Sequence, residues 1–226
     1  MTDLATYPRT HLPTGPAQAD DVLDWQAFAR TPLVREPFDH LIVPGFVPEA
    51  LAVAAGDAFP NRTMPGVLPA PDDAPNNAFG DILRALRDPF TTEAFGEKFG
   101  LALEADSLMV TLRARTRPID GRIHTDSETK VVTALLYLNG GWADAGGRLR
   151  LLRGPDDIED MVGEVPPLAG TLLAFRRTAH SWHGHKPFDG ERRAIMFNWM
   201  VDAATARREL RRHALSAGFK SLFGRA

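Results

Sequence analysis

From Ser107 onward the chain changes texture in a way that restricts its fold. Segments rich in apolar and β-branched residues follow one another: Ser107–Arg115, Val131–Asn139, Arg148–Arg153, Thr171–Arg177 and Arg192–Met200. Clusters of Gly, Pro and Asp separate them. Short strands at this spacing must pair with one another to satisfy their backbones, and they do so as an antiparallel sandwich or barrel. Arg148 and Arg150 alternate with Leu149 and Leu151. That period of two predicts a half-buried strand with one apolar and one basic face.

The preceding part reads as mixed support. Pro37–Phe46 is a short apolar strand closed by Pro44-Gly45, and the Ala-rich Pro48–Phe59 is a helix with proline at its start. Phe79–Arg87 and Thr91–Phe99 read as helices, and Asp21–Arg30 as a short one. Residues 1 to about 20, rich in Pro, Thr and Gly, read as an extended arm. Ala203–Phe223 reads as a basic helix. Pro60–Asn77 and Gly154–Pro167 read as polar loops suited to form a lid.

Composition removes several classes of chemistry. There is no cysteine among the 226 residues, so disulfides, zinc–thiolate sites, iron–sulfur clusters and cysteine nucleophiles are excluded. A metal must use His, Asp, Glu or water. The lack of disulfides fits the cytoplasm, the expected location. MTDLATYPRTHLPTG has no apolar core of signal-peptide length, and no apolar run is long enough to span a membrane. The formal net charge of -3 argues against nucleic acid as a partner, although Arg207, Arg208, Arg211 and Arg212 crowd the C-terminal helix. Such a run is ordinarily a solvated helix face.

One triplet points to a metal. His124 and Asp126 stand two apart, and on an extended segment both side chains project from one face. A third ligand has to come from elsewhere, and His180-Ser181-Trp182-His183-Gly184-His185 is the candidate segment. Two histidines and a carboxylate on one face of an octahedral metal leave positions open for a chelating co-substrate and O2, the arrangement of non-haem Fe(II) oxygenases. H-x-D by itself is weak evidence, and the motifs downstream of it add more. The chain continues with Leu136-Tyr137-Leu138-Asn139, Gly146-Gly147-Arg148-Leu149, Gly170-Thr171-Leu172-Leu173-Ala174-Phe175, and His183 four residues before Pro187, and ends the series with Arg193 and Trp199.

In this ordered set the chain resembles the prolyl-4-hydroxylase-like branch of the 2-oxoglutarate/Fe(II) dioxygenases. The resemblance runs from about Pro37 to Met200 and is strongest from Leu108 on. It implies a double-stranded β-helix (jelly-roll, cupin-like) core over about residues 107–200, within a dioxygenase domain spanning 31–202 between an N-terminal arm (1–30) and the C-terminal helix (203–226). It implies Fe(II), 2-oxoglutarate and O2 as cofactor and co-substrates. His124, Asp126 and His183 match the family's ligands. His185 shares strand parity with His183 and is its closer rival, standing where the family has an aliphatic residue. For the distal carboxylate of 2-oxoglutarate, Arg193 has the family offset, ten residues after His183, whereas a Gly-x-Arg spacing selects Arg192. The offset favours Arg193. Tyr137 is expected to donate to the same carboxylate, and alternation puts it on one face with Thr133 and Leu135. Some family members carry a co-substrate Tyr upstream of the first His. Here that stretch offers Arg113 and Arg115 instead, which are candidates to contact the co-substrate or an acidic substrate but are read in preference as outward-facing strand residues. The related halogenases lack the carboxylate ligand, so Asp126 favours hydroxylation.

The implied activity is hydroxylation of a C–H bond in a small molecule or peptidyl residue, with release of succinate and CO2. Alternatives are a demethylase or repair-type oxygenase with the same centre and a non-catalytic β-helix that binds a metal or ligand. A zinc hydrolase is disfavoured by Arg193. Oligomeric state is open, with a homodimer possible through a sheet edge or the C-terminal helix.

Overall fold

The computed structural model describes residues 22–60 and 66–223, with side chains described through 216. The arm expected over residues 1 to about 20 lies outside the described residues. Helix α1 (Trp25–Arg30) is capped by Asp24, whose side chain accepts from the Ala27 amide. Strand β1 (His40–Val43) leads to α2 (Glu49–Asp57), entered through Pro48. After the short β2 (Leu68–Pro69) come α3 (Ala78–Arg87) and α4 (Pro89–Phe99). Asn77 caps α3 at Gly80, Asp88 caps α4 at Phe90, and Pro89 occupies the first position of α4. The strands follow as β3 (Leu108–Thr116), β4 (Lys130–Tyr137), β5 (Leu149–Leu152), β6 (Met161–Val165), β7 (Leu172–Arg176), β8 (His183–Gly184) and β9 (Gly190–Met200). Helix α5 (Ala203–Phe223) ends the described chain.

The strands form two facing sheets, a six-stranded one in the order β1-β7-β4-β9-β3-β2 and a three-stranded one in the order β6-β5-β8. All their pairings are antiparallel. This is the double-stranded β-helix expected of the chain. Both faces of the large sheet are buried. The outer face packs Val110, Leu112, Val132, Leu136, Ile195, Phe197 and Trp199 against Phe79, Ile82, Leu86, Phe95 and Phe99 of α3 and α4. The inner face packs Leu135, Tyr137, Leu173, Phe175 and Ala194 against Leu149, Leu151 and Val165 of the small sheet. At the β3 side the inner face is covered by α5 instead, where Ala206 and Leu210 meet Met109 and Met200. Among the described residues no helix is long and apolar enough to cross a membrane.

Cross-strand register arranges the inner face in rows. Asn198 of β9 pairs with Met109 on one side and Thr133 on the other; Met196 pairs with Thr111 and Leu135; Ala194 pairs with Arg113 and Tyr137. Successive rows lie about 7 Å apart along the strands.

Two expectations need correction. Gly154–Pro167 is not all loop, since Met161–Val165 forms β6 against β5. The segment lacks a strong apolar alternation, and Arg150 adds ion pairs to its backbone ladder with β5. That residue is 6% exposed rather than solvated, and its guanidinium binds Glu164 at 2.7 Å and Glu159 at 2.9 Å.

Candidate active site

His124, Asp126 and His183 come together, with one potential ligand atom from each within 4.8 Å of the others. The cause lies in the small sheet. The segment after β3 runs back along β8, where His124 and His183 exchange both backbone hydrogen bonds at 3.0 Å and the His185 amide donates to the Gly121 carbonyl at 2.8 Å. Gly121 permits the close approach: its φ is +81°, and a Cβ there would lie 2.3 Å from the His185 ring. Asp126, two residues on, then falls beside both histidines, as the H-x-D spacing predicted.

Each group is held in a form suited to a cation. Nδ1 of His124 lies 2.7 Å from the Arg122 carbonyl and Nδ1 of His183 lies 2.9 Å from the Ser181 carbonyl. Both contacts make Nδ1 the donor and leave Nε2 as the free lone pair. Burial pushes His183 down to about 4, so at neutral pH its imidazole is uncharged. Burial opposes the charge on Asp126, yet Lys130, His183 and the Thr133 hydroxyl outweigh it and hold the carboxyl at about 2. Thr133 Oγ1 donates to Asp126 Oδ2 at 2.6 Å, and Lys130 Nζ lies 3.0 Å from Oδ1. Neutral imidazoles and an ionised carboxylate are the protonation states a divalent ion requires. In the same row as Thr133, Asn198 Oδ1 is buried with no hydrogen-bond partner, which leaves a free acceptor on the inner face at the level of the carboxylate.

Two rows deeper the chemistry turns cationic. Arg192 is 3% exposed; its Nε donates to the Gly147 carbonyl at 2.6 Å and its Nη2 to the Tyr137 hydroxyl at 3.2 Å. Among the described residues no carboxylate forms an ion pair with Arg192. Tyr137 shares the inner face with Leu135 and is fully buried, and burial raises its phenol above the usual range. His185 hydrogen-bonds the Lys186 carbonyl through Nδ1 at 2.8 Å, and burial followed by the Arg192 charge pushes it down to about 4. It therefore packs against the Gly121 turn at the cationic end and is not among the three converging ligands.

Arg193 is placed differently from the expectation. It shares parity with Ile195, Phe197 and Trp199, as the sequence implied, but those residues face the helices and not the interior. Its Nη1 donates to the Gly56 carbonyl of α2 at 2.6 Å. Arg192 is the inward arginine, on the face shared with Ala194 and Met196. The Gly190-x-Arg192 spacing was the sequence signal for it. Lys130 carried no such signal, since a lysine at the head of a strand reads as a solvated end.

Comparison with known proteins agrees with this geometry. Residues 115–201 match the model of the 2OG-Fe(II) oxygenase superfamily, and that span contains the three converging residues, Tyr137 and Arg192. Over those residues, fewer than half of the 226, the chain is similar to that superfamily. Oxygenases of this family are oxidoreductases that use Fe(II), 2-oxoglutarate and O2. The His2Asp cluster of this chain fits Fe(II) in donor type and number. The crystal structure of a Pseudomonas putida prolyl-4-hydroxylase superimposes with a TM-score of 0.56 at 21% identity, covering 85% of this chain and 99% of that one. A prolyl 4-hydroxylase structure from Phytophthora capsici gives 0.54 at 18% identity, covering 70% of this chain and 57% of that one. At these identities the likeness is one of fold. No curated protein sequence matches the chain.

Proposed function

We propose that this oxygenase hydroxylates an unactivated C–H bond of a small molecule or peptidyl residue. In this reading His124, Asp126 and His183 hold Fe(II) through two Nε2 atoms and a carboxylate oxygen. Bound there, Fe(II) with O2 supplies oxidative decarboxylation of 2-oxoglutarate to succinate and CO2, coupled to oxygen insertion into the substrate. Thr133 fixes the carboxylate ligand and so serves the metal, not the co-substrate. Arg192 presents donors to the distal carboxylate of 2-oxoglutarate, and the Tyr137 hydroxyl, held by Arg192, adds another. The buried inner face around them excludes water, which strengthens each of these contacts. Asp126 fills the third ligand position with a carboxylate, which supports hydroxylation. The observation that carries the proposal is the pairing of a His2Asp cluster with a buried guanidinium on the same inner face that no carboxylate among the described residues pairs with.

The test is anaerobic addition of Fe(II) and then 2-oxoglutarate, watching for the weak visible charge-transfer band of the chelate. Wild type should show it. His183→Ala should lose it, and Arg192→Met should need far more 2-oxoglutarate to reach it. Iron binding without any band on adding 2-oxoglutarate would overturn the proposal.

A further inference from the structure

The inner face carries a second guanidinium that the site described so far does not use. Arg113, read from sequence as an outward strand residue, alternates away from Val110, Leu112 and Ala114, which face the helices. It therefore shares the inner face with Thr111, and its register partner is Ala194. Ala194 also pairs with Tyr137, so Arg113 and Tyr137 flank it across β9, and Arg192 stands on the same face of β9 two residues away. Ala194, between them, has only a methyl side chain. At this end the Gly121 turn packs onto His185.

Arg113 is underemployed where it stands. Its guanidinium makes no hydrogen bond to another described residue, although its side chain is only 22% exposed. It has one ion-pair partner, Asp120, at 3.4 Å. Asp120 is already engaged by Arg117, whose amide donates to Oδ2 at 3.0 Å and whose side chain donates to Oδ1 at 3.3 Å. Burial and the neighbouring Arg192 charge both press Arg113 below its ordinary range. Two guanidiniums thus stand on one buried face with a single carboxylate, Asp120, which Arg117 also holds. That end of the inner face carries an excess of positive charge, and the Arg113 fork has only the 3.4 Å ion pair to Asp120 among the described residues. Like charges held together this way are stabilised when an anion enters between them.

We propose that Arg113 is a second co-substrate-binding residue, which joins Arg192 and Tyr137 on the distal carboxylate of 2-oxoglutarate and exchanges Asp120 for it. The inference rests on the proposed function and deepens it. It makes a prediction that a structural ion pair does not. Removing Arg113 weakens co-substrate binding, whereas removing the charge of Asp120 frees Arg113 and does not weaken it.

The experiment is anaerobic calorimetric titration of 2-oxoglutarate into the Fe(II)-loaded protein as wild type, R113M, R113K and D120N. A readout independent of iron accompanies it: thermal stabilisation of the metal-free protein by glutarate, which keeps both carboxylates and lacks the 2-oxo group. R113M should raise the Kd for 2-oxoglutarate about 10- to 100-fold, the range for losing hydrogen bonds to a charged group. It should also abolish the glutarate effect. R113K, which keeps the charge without the fork, should fall between and serves if R113M does not fold. D120N should bind as tightly as wild type or more tightly. Wild-type affinity in both Arg113 variants would overturn the proposal, as would D120N weakening binding as much as R113M does. Loss of 2-oxoglutarate binding in the wild type would instead remove the proposed function on which it stands.

Discussion

Replacing Thr133 with valine tests whether the metal cluster is organised as described. The substitution keeps the branched shape and deletes one donor. Thr133 is 4% exposed and its hydroxyl reaches Asp126 Oδ2 at 2.6 Å. A buried hydrogen bond to an ionised group contributes about 1.5–3 kcal/mol. Lys130 still holds the other oxygen at 3.0 Å, which puts the expected loss near the lower end, about 1.5 kcal/mol. Asp126, held at about 2, should then titrate roughly one unit higher, because a unit corresponds to about 1.4 kcal/mol. A carboxylate ligand that loses its orienting donor also binds metal more weakly, about tenfold. Two assays read these effects: guanidinium denaturation of the metal-free protein at neutral pH, and calorimetric titration with Mn(II). Thr133→Ser, which restores a hydroxyl, should recover most of both. If the valine variant unfolds at the wild-type denaturant concentration and binds Mn(II) with wild-type affinity, Thr133 does not position Asp126 and the account of the cluster is wrong.

Further outcomes follow from other contacts. Burial lowers His183 to about 4, so the unfolded chain takes up its proton first. Its contribution to stability is complete above about pH 6.5 and shrinks as pH falls toward 4, by roughly 3 kcal/mol, with His185 adding a loss in the same window; denaturation midpoints of the metal-free protein that stay flat from pH 6.5 to 4 would contradict this. Arg193→Met should leave the Kd for 2-oxoglutarate unchanged while lowering stability by about 0.5–1.5 kcal/mol through the lost hydrogen bond to the Gly56 carbonyl, which keeps the Phe59 amide as a donor, whereas Arg192→Met should raise that Kd at least tenfold. The reverse pattern, in the same pair of titrations, would return the role to Arg193. Lys130→Met removes an ammonium that competes for Asp126 Oδ1, and Mn(II) affinity should rise up to about fivefold; a fall would mean that Lys130 supports the ligand.

Much of this was legible in the chain. The strand segments announced themselves through β-branched runs, and the H-x-D pair and His183 converge because extended backbone carries i and i+2 to one side. The arginines show where reading fails. Alternation along β9 separates Arg192 from Arg193 correctly, but both faces of that strand are buried, one against helices and one against the small sheet. Period alone cannot say which buried face holds the chemistry. Ile195, Phe197 and Trp199 form the larger apolar stripe and look like an interior; they are the helix-packing side. For Arg113, where both an outward position and a contact with the co-substrate stood open, the preference for the outward one has the opposite origin. A polar stripe on a strand reads as solvent-facing, yet the inner face of this sheet becomes polar where the site lies. β6 escaped notice because it has little apolar alternation: it pairs through its backbone, and Arg150 bridges its Glu164 and the preceding Glu159.

The register of β9 has a mechanical consequence. This strand is paired along both edges, so its amides open only with the sheet itself, and Arg192 rides on the firmest part of the molecule. His124 and His183 do not. They meet through one reciprocal pair of backbone bonds, between a connecting segment and a strand of two residues. The carboxylate-gripping half is rigid without any ligand, and the other half is fastened lightly. A cation seated among His124, Asp126 and His183 acts as a clasp on the lightly fastened half. Hydrogen exchange should show it: amides of 121–129 and 181–185 slow sharply on metal loading, while those of β9, already slow, change little.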